Sequence, residues 1–300
     1  MAVNYKELKQ GGFMKQIQKD HFSLRLRIVG GQLEAKKLKK VYEIAEKYGQ
    51  GYVHMTSRQS IEIPFIKLED VETVKNELAS AGLQPGVCGP KVRTITACQG
   101  CKICPSGLID TTELAKEFDR RYFARELPHK FKLGITGCSN NCLKAEENDL
   151  GVKGGMQPEW FEKSCSFCGL CEAVCPRKAI QVQKEDKQLQ FDESKCNACG
   201  KCVKSCPLDA WSGRKGYIVY FGGLFGNQIA TGRQLLPIIY SEEILYRVVE
   251  TTLGFFQRHG KLSERFGLTL ARVGWDHHIF KFGTRLTCGT PYRKTLGRGP

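Results

Sequence analysis

Cysteine sets the chemistry of this chain. Fifteen occur in 300 residues, and the start, MAVNYKELKQGGF, holds no apolar signal core. The sequence therefore reads as cytoplasmic, where a reducing thiol pool favours metal or redox chemistry over disulfides. Cys165, Cys168, Cys171 and Cys175, followed by Pro176, spell C-x2-C-x2-C-x3-C-P. Cys196, Cys199, Cys202 and Cys206, followed by Pro207, spell it again. Three thiolates on one tight loop can hold three irons of a [4Fe-4S] cube, while the fourth, farther along, reaches a second cube. C-x2-C pairs also suit zinc, but two complete copies, each closed by Pro, point to iron and sulfide.

This stretch resembles a bacterial two-cluster ferredoxin module. The resemblance implies that Cys165, Cys168, Cys171 and Cys206 share one cluster, and Cys196, Cys199, Cys202 and Cys175 the other. A third set is formed by Cys98 and Cys104 in TACQGCKICPSG with Cys138 and Cys142 in TGCSNNC. Its C-x5-C and C-x3-C spacing resembles the siroheme sulfite and nitrite reductases, in which such cysteines bind a [4Fe-4S] cluster coupled to the tetrapyrrole and the last one bridges to the siroheme iron. That role falls to Cys142. Cys101 makes Cys98, Cys101 and Cys104 imitate a ferredoxin loop, but no cysteine stands three residues after Cys104 to complete it. Cys88, Cys101 and Cys288 read as buried or spare thiols.

Basic residues flank the third set in segments similar to those of the same family: Arg25 and Arg27 in FSLRLRIVGG, Thr56 and Arg58 in HMTSRQSIEI, Arg93 in GPKVRTITAC, and Lys130 and Lys132 in LPHKFKLGITGC. The resemblance implies that Arg25, Arg93, Lys130 and Lys132 surround the anion over the siroheme, and that Arg27, Thr56 and Arg58 serve the cofactor. Each alone would ordinarily be a solvated charge on an open face. Their joint occurrence in family order gives them a shared role. His54 departs from the pattern, standing where many relatives place a further siroheme-binding arginine.

Elements must hold these residues together. Alternation over residues 22–28, a helical pattern over 33–48, strands near 51–55 and 61–66, and a helical pattern over 71–81 read β-α-β-β-α. The expected fold class is α+β: a ferredoxin-like half-domain (residues 1–87), a siroheme and [4Fe-4S] α/β domain (88–156 and 214–290), and an inserted dicluster ferredoxin module (157–213). In the second part of the catalytic domain a strand is expected over 217–221, with helices over 241–258 and 262–272. Residues 291–300 read as a disordered tail.

The formal net charge is +15, an electrostatic footprint suited to nucleic acid. Three clusters and one siroheme, however, bring roughly −14, and no RNA-binding motif or recognition helix is present, so no nucleic-acid partner is expected. No apolar run approaches the roughly 20 residues that cross a bilayer. With no G-x-G-x-x-G after a strand and no P-loop, the electron donor should be external, a ferredoxin or a flavin-bearing subunit. Sulfite is the expected substrate; nitrite is the alternative, as is an electron-transfer subunit that does no chemistry. In assimilatory relatives the unit occurs twice per chain. A single copy is therefore expected to form at least a homodimer, with the anion residues of one subunit facing the siroheme tied to Cys142 of the other.

Overall fold

The computed structural model describes residues 3–276; Cys288 and the tail at 291–300 lie outside the described residues. The chain opens with α1 (Tyr5–Gln10), whose cap Asn4 accepts a hydrogen bond from Glu7 N. Then follow β1 (Phe13–Lys15), β2 (His21–Arg25), α2 (Ala35–Tyr48), β3 (His54–Met55), β4 (Ile61–Lys67) and α3 (Val71–Ser80). The four strands pair in the order β1-β2-β4-β3, every neighbour antiparallel. Period-2 alternation turns Phe22 and Leu24 inward, and period-3.6 spacing brings Val41 and Ile44 of α2 and Val74 and Leu78 of α3 onto them. The β-α-β-β-α reading thus holds, with β1 added at one edge.

Two details depart from the expected strands, and the second shapes the site. Pro64 lies inside β4 and has no N–H for the ladder; the β2–β4 register shifts between Phe22 and Leu24. The Phe65 N–H donates instead to the Gln16 side chain at 3.0 Å. In addition, β2 stops at Arg25 rather than Ile28. Leu26 N still donates to Ile61 O, but Arg27 N donates to Gln84 O, outside the ladder.

The second sheet contains β5 (Thr96–Ala97), β6 (Leu133–Thr136) and β7 (Leu150–Trp160), with α4 (Thr111–Tyr122) packed against it. Residues 161–210 follow, carrying α5 (Leu170–Ala173), β8 (Ile180–Gln183), β9 (Gln188–Phe191) and α6 (Lys201–Ser205). The chain then returns through β10 (Trp211–Phe221), β11 (Arg233–Gln234), α7 (Glu242–His259) and α8 (Phe266–Val273). The sheet order is β11-β10-β7-β6-β5. One core joins α4, α7 and α8 to it through fully buried Phe118, Phe131, Phe255 and Phe256.

β7 and β10 form an antiparallel ladder from Leu150↔Phe221 to Trp160↔Trp211. Residues 157–160 and 211–213, expected within the insertion, therefore belong to this hairpin. The segment that leaves the ladder is 161–210, supported on a cross-strand pair of tryptophans.

Candidate functional site

Arg25, Thr56, Arg58, Arg93, Lys130 and Lys132 line one cavity of about 250 Å³ between the two sheets. Arg25 ends β2, and its Nε donates to Glu62 at 2.6 Å. Thr56 and Arg58 sit on the β3–β4 turn, which Thr56 closes by accepting from Ser60 N at 3.0 Å. Gln59 pins that turn to β5, donating to Ala97 O at 2.9 Å and accepting from Ala97 N at 3.0 Å. Arg58 is held by Thr94 O at 3.0 Å and Asn148 Oδ1 at 3.3 Å. Arg93 donates through Nη1 to Val87 O at 2.9 Å, while its buried Nε has no partner.

Lys132 precedes β6, and its backbone N–H is fixed by Asp149 at 2.8 Å. Asp149 is fully buried and also accepts from Arg265 Nη2 at 2.8 Å and Nε at 3.2 Å. The two nearby carboxylates are thus committed, Glu62 to Arg25 and Asp149 to Arg265, so cationic charge remains in excess. That excess registers in the ionisation of the lining groups. Burial foremost, then Arg93 and Arg25, pushes Arg58 down to about 10. Burial, then Arg58 and Arg265, pushes Lys132 down to about 8. Lys130 is lowered likewise, by burial and then Arg265 and Arg93. An enclosed wall whose cations are forced toward neutrality is a site for anions.

In the cofactor-free chain, Lys132 is therefore expected to titrate near pH 8. The unfolded chain then holds more protons between about 8 and the ordinary lysine value, so this group adds stability as pH rises through that window and costs stability below it. Carbon-13 methylation of the lysines followed by NMR should show one resonance titrating near pH 8 that disappears in Lys132→Arg; a Lys132 signal above pH 10 would contradict the burial argument.

A second cavity, of about 410 Å³, shares Ser57, Arg58 and Lys132 with the first and is lined also by Cys142, Asn148 and Phe225. Cys142 thus adjoins Arg58 and Lys132 within a single chain. Cys98 follows β5, Cys104 lies on the next loop, and Cys138 and Cys142 follow β6. The Cys138 thiol is pushed up by burial and further by Cys104, Cys98 and Cys142. Gly137 N donates to Cys98 Sγ at 3.0 Å. Of the other thiols, Cys88 is buried beside Arg25, and Cys101 is exposed.

Arg27 does not join the cavity of Arg25. Period 2 should put both on one face, but the strand ends between them, and Arg27 turns to a part-buried ion pair with Asp119, against the Phe123 ring at 3.8 Å. It lines neither of the two cavities described above. His54 is exposed on β3 and lines neither cavity.

In residues 161–210, Cys165, Cys168, Cys171 and Cys206 line one small cavity. Cys175, Cys196, Cys199 and Cys202 line another. The two halves repeat with an offset of 31 residues, from Cys165 to Cys196. At equivalent places, Phe167 and Ala198 have φ of 55° and 54°, and Gly169 and Gly200 have φ of 84° and 69°. Such a left-handed step suits glycine and turns each loop into its short helix. Phe167 N donates to Cys165 Sγ at 3.3 Å and Ala198 N to Cys196 Sγ at 3.4 Å. Among the described residues, no three His, Cys, Asp or Glu converge as tightly as a single ion requires; four thiolates about a cube stand apart at its corners.

Several contributors carried no signal in the sequence. Asp149 and Arg265 meet across 116 residues, and neither lies in a motif. Glu62 could have been suspected, since the β2–β4 register places it opposite Arg25.

The family described as Nitrite and sulphite reductase 4Fe-4S domain matches residues 88–288, and the Nitrite/Sulfite reductase ferredoxin-like half domain matches residues 14–81. Coenzyme F420-dependent sulfite reductase of Methanocaldococcus jannaschii is 35% identical over 272 residues, covering 90% of this chain and 43% of that protein. An anaerobic sulfite reductase subunit of Salmonella typhimurium is 32% identical over 176 residues, 52% of this chain and 50% of its own length. The chain thus spans about half or less of these two relatives. The crystal structure of dissimilatory sulfite reductase I superposes with a TM-score of 0.72 at 20% identity, over 93% of this chain and 74% of that one. No helix among the described residues is long and apolar enough to cross a membrane.

Proposed function

Since the chain belongs to the nitrite and sulfite reductase family, we propose that it is a siroheme-dependent sulfite reductase fed by three [4Fe-4S] clusters. The observation that carries this reading is the cationic cavity of Arg25, Arg93, Lys130 and Lys132, which continues through Arg58 and Lys132 into the space lined by Cys142. The residues suit the group. A tetrapyrrole bearing about eight carboxylates supplies the anions that depressed Arg58 and Lys132 lack and an acceptor for the unpartnered Arg93 Nε. Thr56 and Arg58 hold its carboxylates in this reading. Cys98, Cys104, Cys138 and Cys142 hold the coupled cluster, and the two four-cysteine sets of residues 161–210 hold the others.

Bound siroheme supplies a reduced iron for the sulfur of sulfite. The protein's share is electrostatic and protonic. Conversion of sulfite to sulfide consumes six electrons and releases the three oxygens as water, so charge develops on oxygens that must be protonated. Arg25, oriented by Glu62, and Arg93 stabilise that charge. Lys132 lines the same cavity and, charged at neutral pH, is placed to donate a proton to those oxygens. Electrons arrive from an external donor, a ferredoxin or a flavin-bearing subunit.

Nitrite is the second reading, since the family includes reductases of both anions. Steady-state assays with a chemically reduced donor should give a higher kcat/KM for sulfite than for nitrite; the reverse order would reassign the substrate. Replacing both Lys130 and Lys132 with Met should lower sulfite turnover by roughly 10²- to 10⁴-fold, the range of general-acid contributions, with siroheme content retained. Loss of the haem would make the lysines cofactor anchors instead.

A further inference from the structure

Trp211 opens β10 at the foot of the cysteine-rich segment and is 3% exposed. Its indole Nε1 is buried without any hydrogen-bond partner, an arrangement that costs free energy unless something absent from the bare polypeptide accepts the proton. The ring lines the cavity of Cys165, Cys168, Cys171 and Cys206. Phe191 meets the ring edge-on at 5.3 Å and 86°, which fixes its orientation. The 31-residue repeat puts Ile180 at the equivalent position in the other half, and an aliphatic side chain has no proton to donate. The two halves therefore differ in one buried donor. Trp160, whose Nε1 is likewise unpartnered, does not line either cavity.

The halves also differ in position. Ala198, within the loop of Cys196 and Cys199, accepts from Met156 N at 2.8 Å. Met156 packs with Leu108, Val203 and Cys138. The cavity of Cys175, Cys196, Cys199 and Cys202 therefore lies on the side of the Cys138 set, and the Trp211 cavity lies beyond it.

We infer that Trp211 is a positioning and tuning residue that donates its indole N–H to the sulfur shell of the cluster held by Cys165, Cys168, Cys171 and Cys206, raising the reduction potential of that outer cluster alone. A donor to sulfur favours the reduced, more negative state, and hydrogen bonds to the sulfurs are among the determinants of such potentials. The outer cluster then retains an electron from the donor until the inner one is vacated.

This inference rests on the reading that residues 161–210 hold two clusters, and the test separates the two ideas. In the anaerobically purified protein, an EPR-monitored redox titration of Trp211→Phe should show one ferredoxin-type couple moved to more negative potential and the other unchanged. At fixed potential the reduced-to-oxidised ratio of the affected cluster should fall about tenfold, or about 59 mV for one electron. Both couples unmoved, with iron and sulfide at native levels, would overturn the role of Trp211. Should the variant not fold, pulsed EPR of the native protein labelled with indole-¹⁵N tryptophan decides: an exchangeable indole proton coupled to one reduced cluster supports the inference, and its absence refutes it. Absence of both ferredoxin-type signals from the native protein would instead refute the two-cluster reading.

Discussion

The Cys142→Ser protein is expected to lose sulfite reduction by more than about 100-fold, the level that loss of mere outer-shell partners of a metal already reaches, while keeping the iron and sulfide of residues 161–210. Cys142 shares a cavity with Arg58 and Lys132, and in the proposed reading its thiolate joins the coupled cluster to the cationic pocket. A serine hydroxyl stays protonated at neutral pH and is a poor, hard ligand for iron in a sulfide cluster. The eight cysteines of the segment beyond Trp160 line separate cavities, and Cys171, Cys202 and Cys206 pack in a separate small core, which is why their clusters should survive. Iron and sulfide analysis beside activity assays checks both halves of the expectation. Full activity in the variant would remove the siroheme assignment.

The second large effect concerns folding. Arg265→Met should destabilise the chain by about 3–5 kcal/mol, because it strands a buried carboxylate without its partner. Side-chain exposure is 14% for Arg265 and 0% for Asp149, so water cannot replace the lost guanidinium. Burial already pushes the Asp149 carboxyl up beside Arg265, and without Arg265 it should rise further. A folded state with the higher carboxyl pKa binds the extra proton, so the deficit should shrink as pH falls toward the acid range. Urea unfolding at neutral and mildly acidic pH measures it. The Arg265→Met/Asp149→Asn double variant should be less unstable than the sum of the singles, whereas near-neutral Arg265→Met would mean the pair is already solvated.

The half-domain was legible in the sequence because local patterns decide it: alternation in β2 and the spacing of Val41, Ile44 and Ala45 on α2 each name the buried face. The cysteine sets were legible because metal chemistry imposes spacing on one short segment. β7 was not. Its run LGVKGGMQPEW lacks alternation since its first seven residues are buried in succession, both faces being covered. Its glycines answer to close packing: a Cβ on Gly151 would lie 2.0 Å from Ala145 O. Helix α4 stands between two cysteine motifs outside the expected elements, although Asp110 caps it by accepting from Glu113 N at 3.1 Å and Leu114, Ala115 and Phe118 face the core. Arg25 and Arg27 show the limit at the site. Their shared periodicity promised a shared cavity, and the place where β2 leaves its ladder, set by contacts with residues 61 and 84, separates them.

Siroheme bound next to Cys142, with an oxyanion reduced there, is the proposal on which the other expectations rest. The most direct measurement is the absorption spectrum of the protein purified without air from cells able to make siroheme, taken before and after adding sulfite to the reduced sample. Soret and visible haem bands above the broad iron–sulfur absorption, with the haem bands shifting on sulfite addition, are the expected result. A spectrum holding only iron–sulfur absorption, unchanged by sulfite, would contradict it and leave an electron-transfer subunit in its place.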